Sequence, residues 1–231
     1  MNNSPAPQKR KRGRPSSINR ESIARAALDI GVQKATIPQI ATHLGVAHSS
    51  LYHHVKSRDE IIAMAADIAV EELDWRCPET VTWREELIVL TDSIWELYYK
   101  NPGLAESLNH GEITPTTGIL SFAESVSRLQ HKGFPLNEAV VAVDMLVDMV
   151  KECFIGWWSI EKTEQDGRLR REKMIELWES EAQNSLEQAE QITAMVGIMK
   201  AGPRAWWESK RNIVLDGIAV TRERNAKSNS E

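Results

Sequence analysis

The chain has 231 residues, 42% of them hydrophobic and 26% charged, the balance of a globular protein of one or two domains and not of a disordered polymer. Its two cysteines, Cys77 and Cys153, stand outside any CxxC or Cys/His cluster, which argues against a disulfide scaffold or zinc finger and fits a reducing, cytoplasmic setting. The net charge of −5 conceals an asymmetry: residues 1–58 hold ten Lys/Arg against two acids, a net +8, leaving −13 for the remainder. Positive charge gathered into a quarter of the chain is suited to a polyanion, nucleic acid foremost, with a solvated basic tail as the alternative.

Residues 1–17 contain three prolines and the run KRKRGR without apolar periodicity, and are expected to form a disordered basic arm. No apolar run follows them and no 18 consecutive apolar residues occur, so neither a signal peptide nor a membrane span is expected. A first helix follows the N-cap Asn19, with Ile23, Ala26, Ala27 and Ile30 at helical spacing and Gly31 at its end. Thr36-Ile37-Pro38-Gln39 has the form of a capping box for a second, short helix that buries Ile40, Ala41 and Leu44. Gly45 permits the tight turn that follows, and Val46, Leu51 and Val55 anchor a third helix over residues 47–54. Ser57-Arg58-Asp59-Glu60 is a second capping box, opening a helix through Ile61, Ile62, Met64, Ala65, Ile68 and Ala69.

From residue 83 the helices lengthen and their apolar stripes widen. The spacing predicts helices over Trp83–Asn101, a short piece to Gly111, Thr116–Lys132, and from Asn137 to about Lys162. Residues 169–199 read as one long helix or two collinear ones, and a last helix runs from Pro203 to about Arg222. No strand-like alternation, phosphate loop or internal repeat interrupts this all-α reading. The boundary is expected near residue 60, separating a helix-turn-helix DNA-binding domain (18–60) from a larger helical ligand-binding and dimerisation domain (61–231).

Two short helices meeting at Gly45 make a helix-turn-helix, whose second helix enters the major groove. His48, Ser49 and Ser50 stand at its start, where side chains reach base edges, and are expected to carry sequence choice. Thr36 and Gln39 open the second helix, where free amides and the positive dipole end favour a phosphate. Lys56 with the amides at Ser57 and Arg58 are expected to do the same at the fourth helix, positioning the protein without reading sequence.

Residues 35–64, and Leu51-Tyr52-His53-His54-Val55-Lys56-Ser57-Arg58-Asp59-Glu60 above all, closely resemble the DNA-binding region of the TetR family of transcriptional regulators. The resemblance is strong over residues 13–73 and weak beyond, although residues 204–218 look like the last helix of family members. It implies a homodimer joined by a four-helix interface, binding a palindromic operator, and released from DNA by a ligand of the C-terminal domain. It also implies that Tyr52 contacts a backbone phosphate and that His53 touches base or phosphate. Two departures stand out: Pro38 replaces a basic or hydrogen-bonding residue, and Ala47 replaces a polar cap. Lys11-Arg12-Gly13-Arg14-Pro15 resembles an AT-hook core, which implies that Arg12 and Arg14 enter a narrow A·T minor groove; a nonspecific basic tail is the alternative.

Eight tryptophans against three tyrosines and three phenylalanines make a skewed aromatic set, all eight lying outside the DNA-binding part. Trp206 and Trp207 are expected at a dimer contact, and Trp95, Tyr98 and Trp157 in a ligand pocket. Asp144 and Asp148, with Glu152, form an i, i+4, i+8 stripe whose fates are solvent or salt bridges, contact with a cationic ligand, or metal coordination together with His110. His110 roughly matches a position in tetracycline repressors whose other ligand residues have no counterpart, and no metal, cofactor or tetracycline is predicted. No catalytic constellation is readable, so an enzyme is not expected. The reading is a ligand-responsive regulator, a repressor before an activator; an architectural A·T-preferring DNA-binding protein without a ligand is the alternative.

Overall fold

The computed structural model describes residues 18–109, 113 and 115–228. Among them the chain is helical throughout: α1 (Arg20–Ile30), α2 (Ile37–Leu44), α3 (His48–Leu51), α4 (Arg58–Glu71), α5 (Trp83–Lys100), α6 (Leu104–Asn109), α7 (Thr116–His131), α8 (Leu136–Ile160), α9 (Arg170–Asn184), α10 (Ala189–Ala201) and α11 (Pro203–Ser228). No strand occurs among the described residues, and a lone bridge from Thr163 to Leu169 closes the α8–α9 loop. The basic arm, Arg12, Arg14 and His110 lie outside the described residues.

The first helices start where their caps dictate. Asn19 Oδ1 accepts the Ser22 amide at 2.8 Å, and Thr36 with Gln39 forms the reciprocal box read from the sequence. Gly45 takes the left-handed conformation at φ +69° that lets α2 turn into α3. Ala47 supplies no side-chain cap, and α3 is correspondingly a single turn, shorter than the expected 47–54, with Tyr52, His53 and His54 in the turn after it. Ser57 Oγ accepts the Glu60 amide at 3.1 Å. The Glu60 carboxylate, however, does not close the box; it accepts from the Lys56 amide and from Arg20, each at 2.6 Å.

Ile23, Ala27, Ile40, Leu51 and Ile61 are fully buried where α1 to α4 meet. Burying side chains of this size contributes about 1.5–3 kcal/mol each, which a unit of four short helices requires because none of them is stable alone. The expected division near residue 60 falls in the first turn of α4, and α4 packs in both directions. It lies along α1, and on its other side Asp67 accepts the Thr117 amide of α7 at 2.9 Å.

The larger part is built on α5, α7, α8 and α11. The buried Glu86 carboxylate of α5 is matched by Arg128 of α7 and by Lys132 just beyond its end. Asp92, two turns on, bridges to Arg204 at 2.7 Å and to Arg211 on α11. α8 and α11 run antiparallel, with Asn225 donating to Glu138 at 2.7 Å at one end and Lys210 near Cys153 at 3.7 Å at the other. The structure corrects two expectations. Residues 169–199 are a folded-back hairpin, not collinear helices, because the backbone leaves the helical region at Ser185, with φ −112° and ψ 74°, after which Lys200 pairs with Glu179 across the hairpin. Trp207 is not at a surface: it is fully buried and stacked on Trp95. Among the described residues no helix is long and apolar enough to cross a membrane.

Candidate nucleic-acid interface and ligand cavity

The helix-turn-helix presents one exposed polar surface. Buried Leu51 and Val55 hold α3 from below, and the short turn then leaves His48, Ser49 and His53 exposed, Ser50 half-buried and Tyr52 56% exposed. That exposure argues against a purely packing role for Tyr52. Thr36 and Gln39 stand exposed at the start of α2. The Thr36 amide and hydroxyl both donate to Gln39 Oε1, at 3.1 and 2.8 Å, so the side-chain amide NH2 group of Gln39 is the donor still directed outward. Pro38, exposed between them, carries no side-chain donor.

The charge in this region is less available than its count implies. Arg20 donates to the His54 carbonyl at 2.7 Å and to Glu60, and Arg25 pairs with both Glu21 and Glu72. Arg58, expected among the phosphate contacts, donates from Nε to the Ala35 carbonyl and from Nη2 to the Val32 carbonyl, both at 2.8 Å. It clamps the α1–α2 loop onto α4. The N-terminus of α4 is likewise filled from within: the Lys56 amide hydrogen bond and then Arg20 hold the Glu60 carboxyl below the usual carboxylate range, so the negative charge expected there from a phosphate is already supplied by the protein. Lys34 and Lys56 remain exposed.

A cavity of about 460 Å³ opens between α4, α5, α7 and α8. Leu90, Ile94, Trp75, Phe122 and Val143 are among its walls, and Lys151 is the one charged residue in its lining among the described residues. Tyr98, an expected ligand residue, does line it; burial, reinforced by nearby Asp148, pushes its hydroxyl up and keeps it a proton donor. Trp95 and Trp157, expected beside Tyr98, line a separate cleft. Asp144 and Asp148 are exposed on α8, Asp148 pairing with Lys151 at 3.1 Å; neither is in the lining of this cavity, which takes the stripe one residue before theirs, Val143, Val147 and Lys151, about 100° around the helix. No cluster of three or more metal-ligating side chains occurs among the described residues.

One more contact joins the two regions. At the start of α6, Gly103 has φ +90°, and a Cβ built there would lie 2.6 Å from Gln33 Cβ and 2.8 Å from the Gln33 nitrogen in the α1–α2 loop. The Gln33 amide donates to the Pro102 carbonyl at 3.3 Å. Leu108, at the other end of the same helix, is in the cavity wall. The sequence reading missed Gly103, whose left-handed conformation a loop glycine after Asn101-Pro102 could have suggested.

A helix-turn-helix unit carried on a larger helical domain is the architecture of TetR-family proteins, and solved structures of that family share this fold. The Streptomyces coelicolor TetR family protein ActR in complex with actinorhodin superposes with a TM-score of 0.73 at 20% identity, over 89% of this chain and 97% of that one. A TetR variant from Acinetobacter baumannii in complex with minocycline gives 0.61 at 15% identity, over 89% and 99%. In sequence the chain is similar to an HTH-type transcriptional repressor of Mycobacterium tuberculosis, 27% identical over 143 residues, which are 58% of this chain and 55% of that protein. It is also similar to an HTH-type transcriptional regulator of Saccharopolyspora erythraea, 24% identical over 103 residues, 43% of each. The chain thus spans about half the length of the curated relatives it matches. No family model matches the sequence.

Proposed function

We propose that this protein is a ligand-responsive, homodimeric transcriptional regulator that binds a palindromic operator with one helix-turn-helix per half-site and leaves it when an effector occupies the cavity. The observation that carries the reading is the union in one chain of an exposed recognition surface at His48, Ser49, Tyr52 and His53 with a 460 Å³ apolar cavity connected to it through α6. In this reading Ser50, Thr36, Gln39 and Lys56 complete the contact with DNA. The similarity to helix-turn-helix repressors supports it, as does the fold shared with the TetR family protein ActR in complex with actinorhodin.

Dimerisation is assigned to the outer faces of α8 and α11. Val141 is 57% exposed, Met145 42%, Ile213 73% and Val220 54%, an apolar band that a second copy related by two-fold symmetry would cover. The acids Asp144, Asp148 and Glu152 lie exposed on the α8 part of this face. Coupling runs through α6: an effector pressing on Leu108 moves Gly103 against Gln33, and the loop so moved carries the Val32 and Ala35 carbonyls that Arg58 holds. The spacing of the two recognition helices then departs from that of successive major grooves. With one lysine and no carboxylate among the described residues of the wall, the cavity suits an apolar ring system bearing an oxygen acceptor for Lys151 and Tyr98.

The test is selection of bound fragments from random duplex DNA by the purified protein. A recurrent palindrome is expected. Enrichment of A·T content without two-fold symmetry would replace this reading with the architectural one, in which the basic arm dominates.

A further inference from the structure

A second cleft lies on the other side of α5, where the end of α8 and the start of α11 meet it. It measures about 680 Å³ and shares no lining residue with the apolar cavity. Its walls are Trp95, Tyr99, Phe154, Trp157 and Trp158, with Glu96 at the rim. Trp95 and Phe154 meet edge to face at 5.3 Å, and Phe154 and Trp158 stack at 5.7 Å, so the aromatic walls are braced by one another. We propose that this cleft is a binding site for a small organic cation, a quaternary or aromatic ammonium compound, held between the ring faces and Glu96.

Three observations support a cation over a neutral or anionic guest. Aromatic faces carry negative quadrupole potential, and rings in this region already attract the protein's own cations: Lys210 sits 3.5 Å above Trp206, and Arg171 and Arg211 approach Trp157 and Trp207 at 6.0 and 5.9 Å. The one cation in the cleft lining, Arg204, is tied to Asp92 and Glu208 at 2.7 and 2.8 Å, and so contributes little net positive field. Glu96 has no hydrogen-bond or ion-pair partner among the described residues, and Tyr99 beside it is 64% exposed, an aromatic ring held in solvent next to an unpaired carboxylate. The other lining acid, Glu161, is occupied, accepting from Trp157 Nε1 at 3.1 Å and pairing with Arg171. Glu96 is therefore the counter-charge.

The experiment titrates the full-length protein with benzyltrimethylammonium and with neopentylbenzene, its uncharged isostere, following tryptophan fluorescence and confirming by calorimetry. Fluorescence also reports on Trp75 of the apolar cavity, so the Glu96→Gln, Trp158→Leu and Lys151→Met variants tell the two sites apart; neither readout depends on DNA binding, so failure here is distinguishable from failure of the regulator reading. The cation is expected to bind saturably and about tenfold more tightly than the isostere. Glu96→Gln, a change at an exposed position that leaves the fold intact, is expected to remove most of that preference, and Trp158→Leu to weaken the cation several-fold. Equal affinity for the two compounds, absence of saturable binding, or a cation affinity indifferent to Glu96→Gln would overturn the proposal. Tighter cation binding in Lys151→Met would overturn it as well, since that result puts the cation in the apolar cavity.

Discussion

Gly103→Ala tests the contact through which the two parts of the molecule touch. The new Cβ would lie 2.6, 2.8 and 2.9 Å from Gln33 Cβ, nitrogen and Cα, distances at which something must move, and two of the three atoms are backbone. A non-glycine residue in left-handed backbone adds about 1–2 kcal/mol, and overpacking about 1–3 kcal/mol, for a total of roughly 2–5 kcal/mol if both are absorbed in place. For a chain of this size each kcal/mol lowers Tm by about 2–4 °C, so thermal unfolding should shift by several degrees or more. Gln33→Gly in the same background removes only the Cβ contact and leaves the backbone clashes, and is expected to restore less than half of the loss. A Gly103→Ala protein that unfolds within a degree of the parent would refute the close approach and, with it, the route from α6 to the α1–α2 loop.

Arg58→Ala should lower stability by about 2–4 kcal/mol in chemical denaturation, since two carbonyls lose a charged donor; a loss of DNA affinity without any loss of stability would return Arg58 to the DNA contacts. Tyr52→Ala, at an exposed ring, should leave Tm and the dimer unchanged while weakening binding to selected DNA about tenfold; dimer loss would assign it to packing instead. Glu60 has a depressed carboxyl pKa, so its contribution is present above its ordinary value near 4.5 and disappears as pH falls through the lower folded value. The difference between the unfolding midpoints of the parent and Glu60→Gln should therefore shrink as pH falls below about 4.5, and a difference that is the same at pH 6 and at pH 3 would contradict the assignment.

The helix-turn-helix was legible because local chemistry specifies it. Asn19, Thr36 and Ser57 cap within three residues of the groups they satisfy, and Gly45 marks its own turn. The apolar cavity was not legible, because Leu90, Ile94 and Val143 have the spacing of ordinary core residues, and whether neighbouring helices close over them is decided by packing between segments distant in sequence. On α8 the acidic stripe attracted the ligand reading, yet one residue of register, about 100° around the helix, separates it from Val143, Val147 and Lys151, and the lone lysine on that stripe was the available signal. On α5 a three-residue step was enough to send Tyr98 to the apolar cavity and Trp95 to the aromatic cleft.

Charge counting also needed the structure to be apportioned. Of the Lys/Arg in residues 18–58, Arg20, Arg25 and Arg58 are bound internally, and Lys34 and Lys56 are left exposed. The remaining five of the ten, Lys9, Arg10, Lys11, Arg12 and Arg14, belong to the arm. If the arm engages the minor groove, most of the salt dependence of DNA binding comes from it and not from the folded surface. Each phosphate contact contributes about −0.9 to the slope of log K against log salt, so deleting residues 1–15 should flatten the slope by up to about 4–5 per bound arm. The palindrome preference, which the proposed function assigns to the helix-turn-helix, should survive the deletion. An unchanged slope would mean that the arm does not touch DNA and that Lys34, Lys56 and the start of α2 carry the electrostatic contact alone.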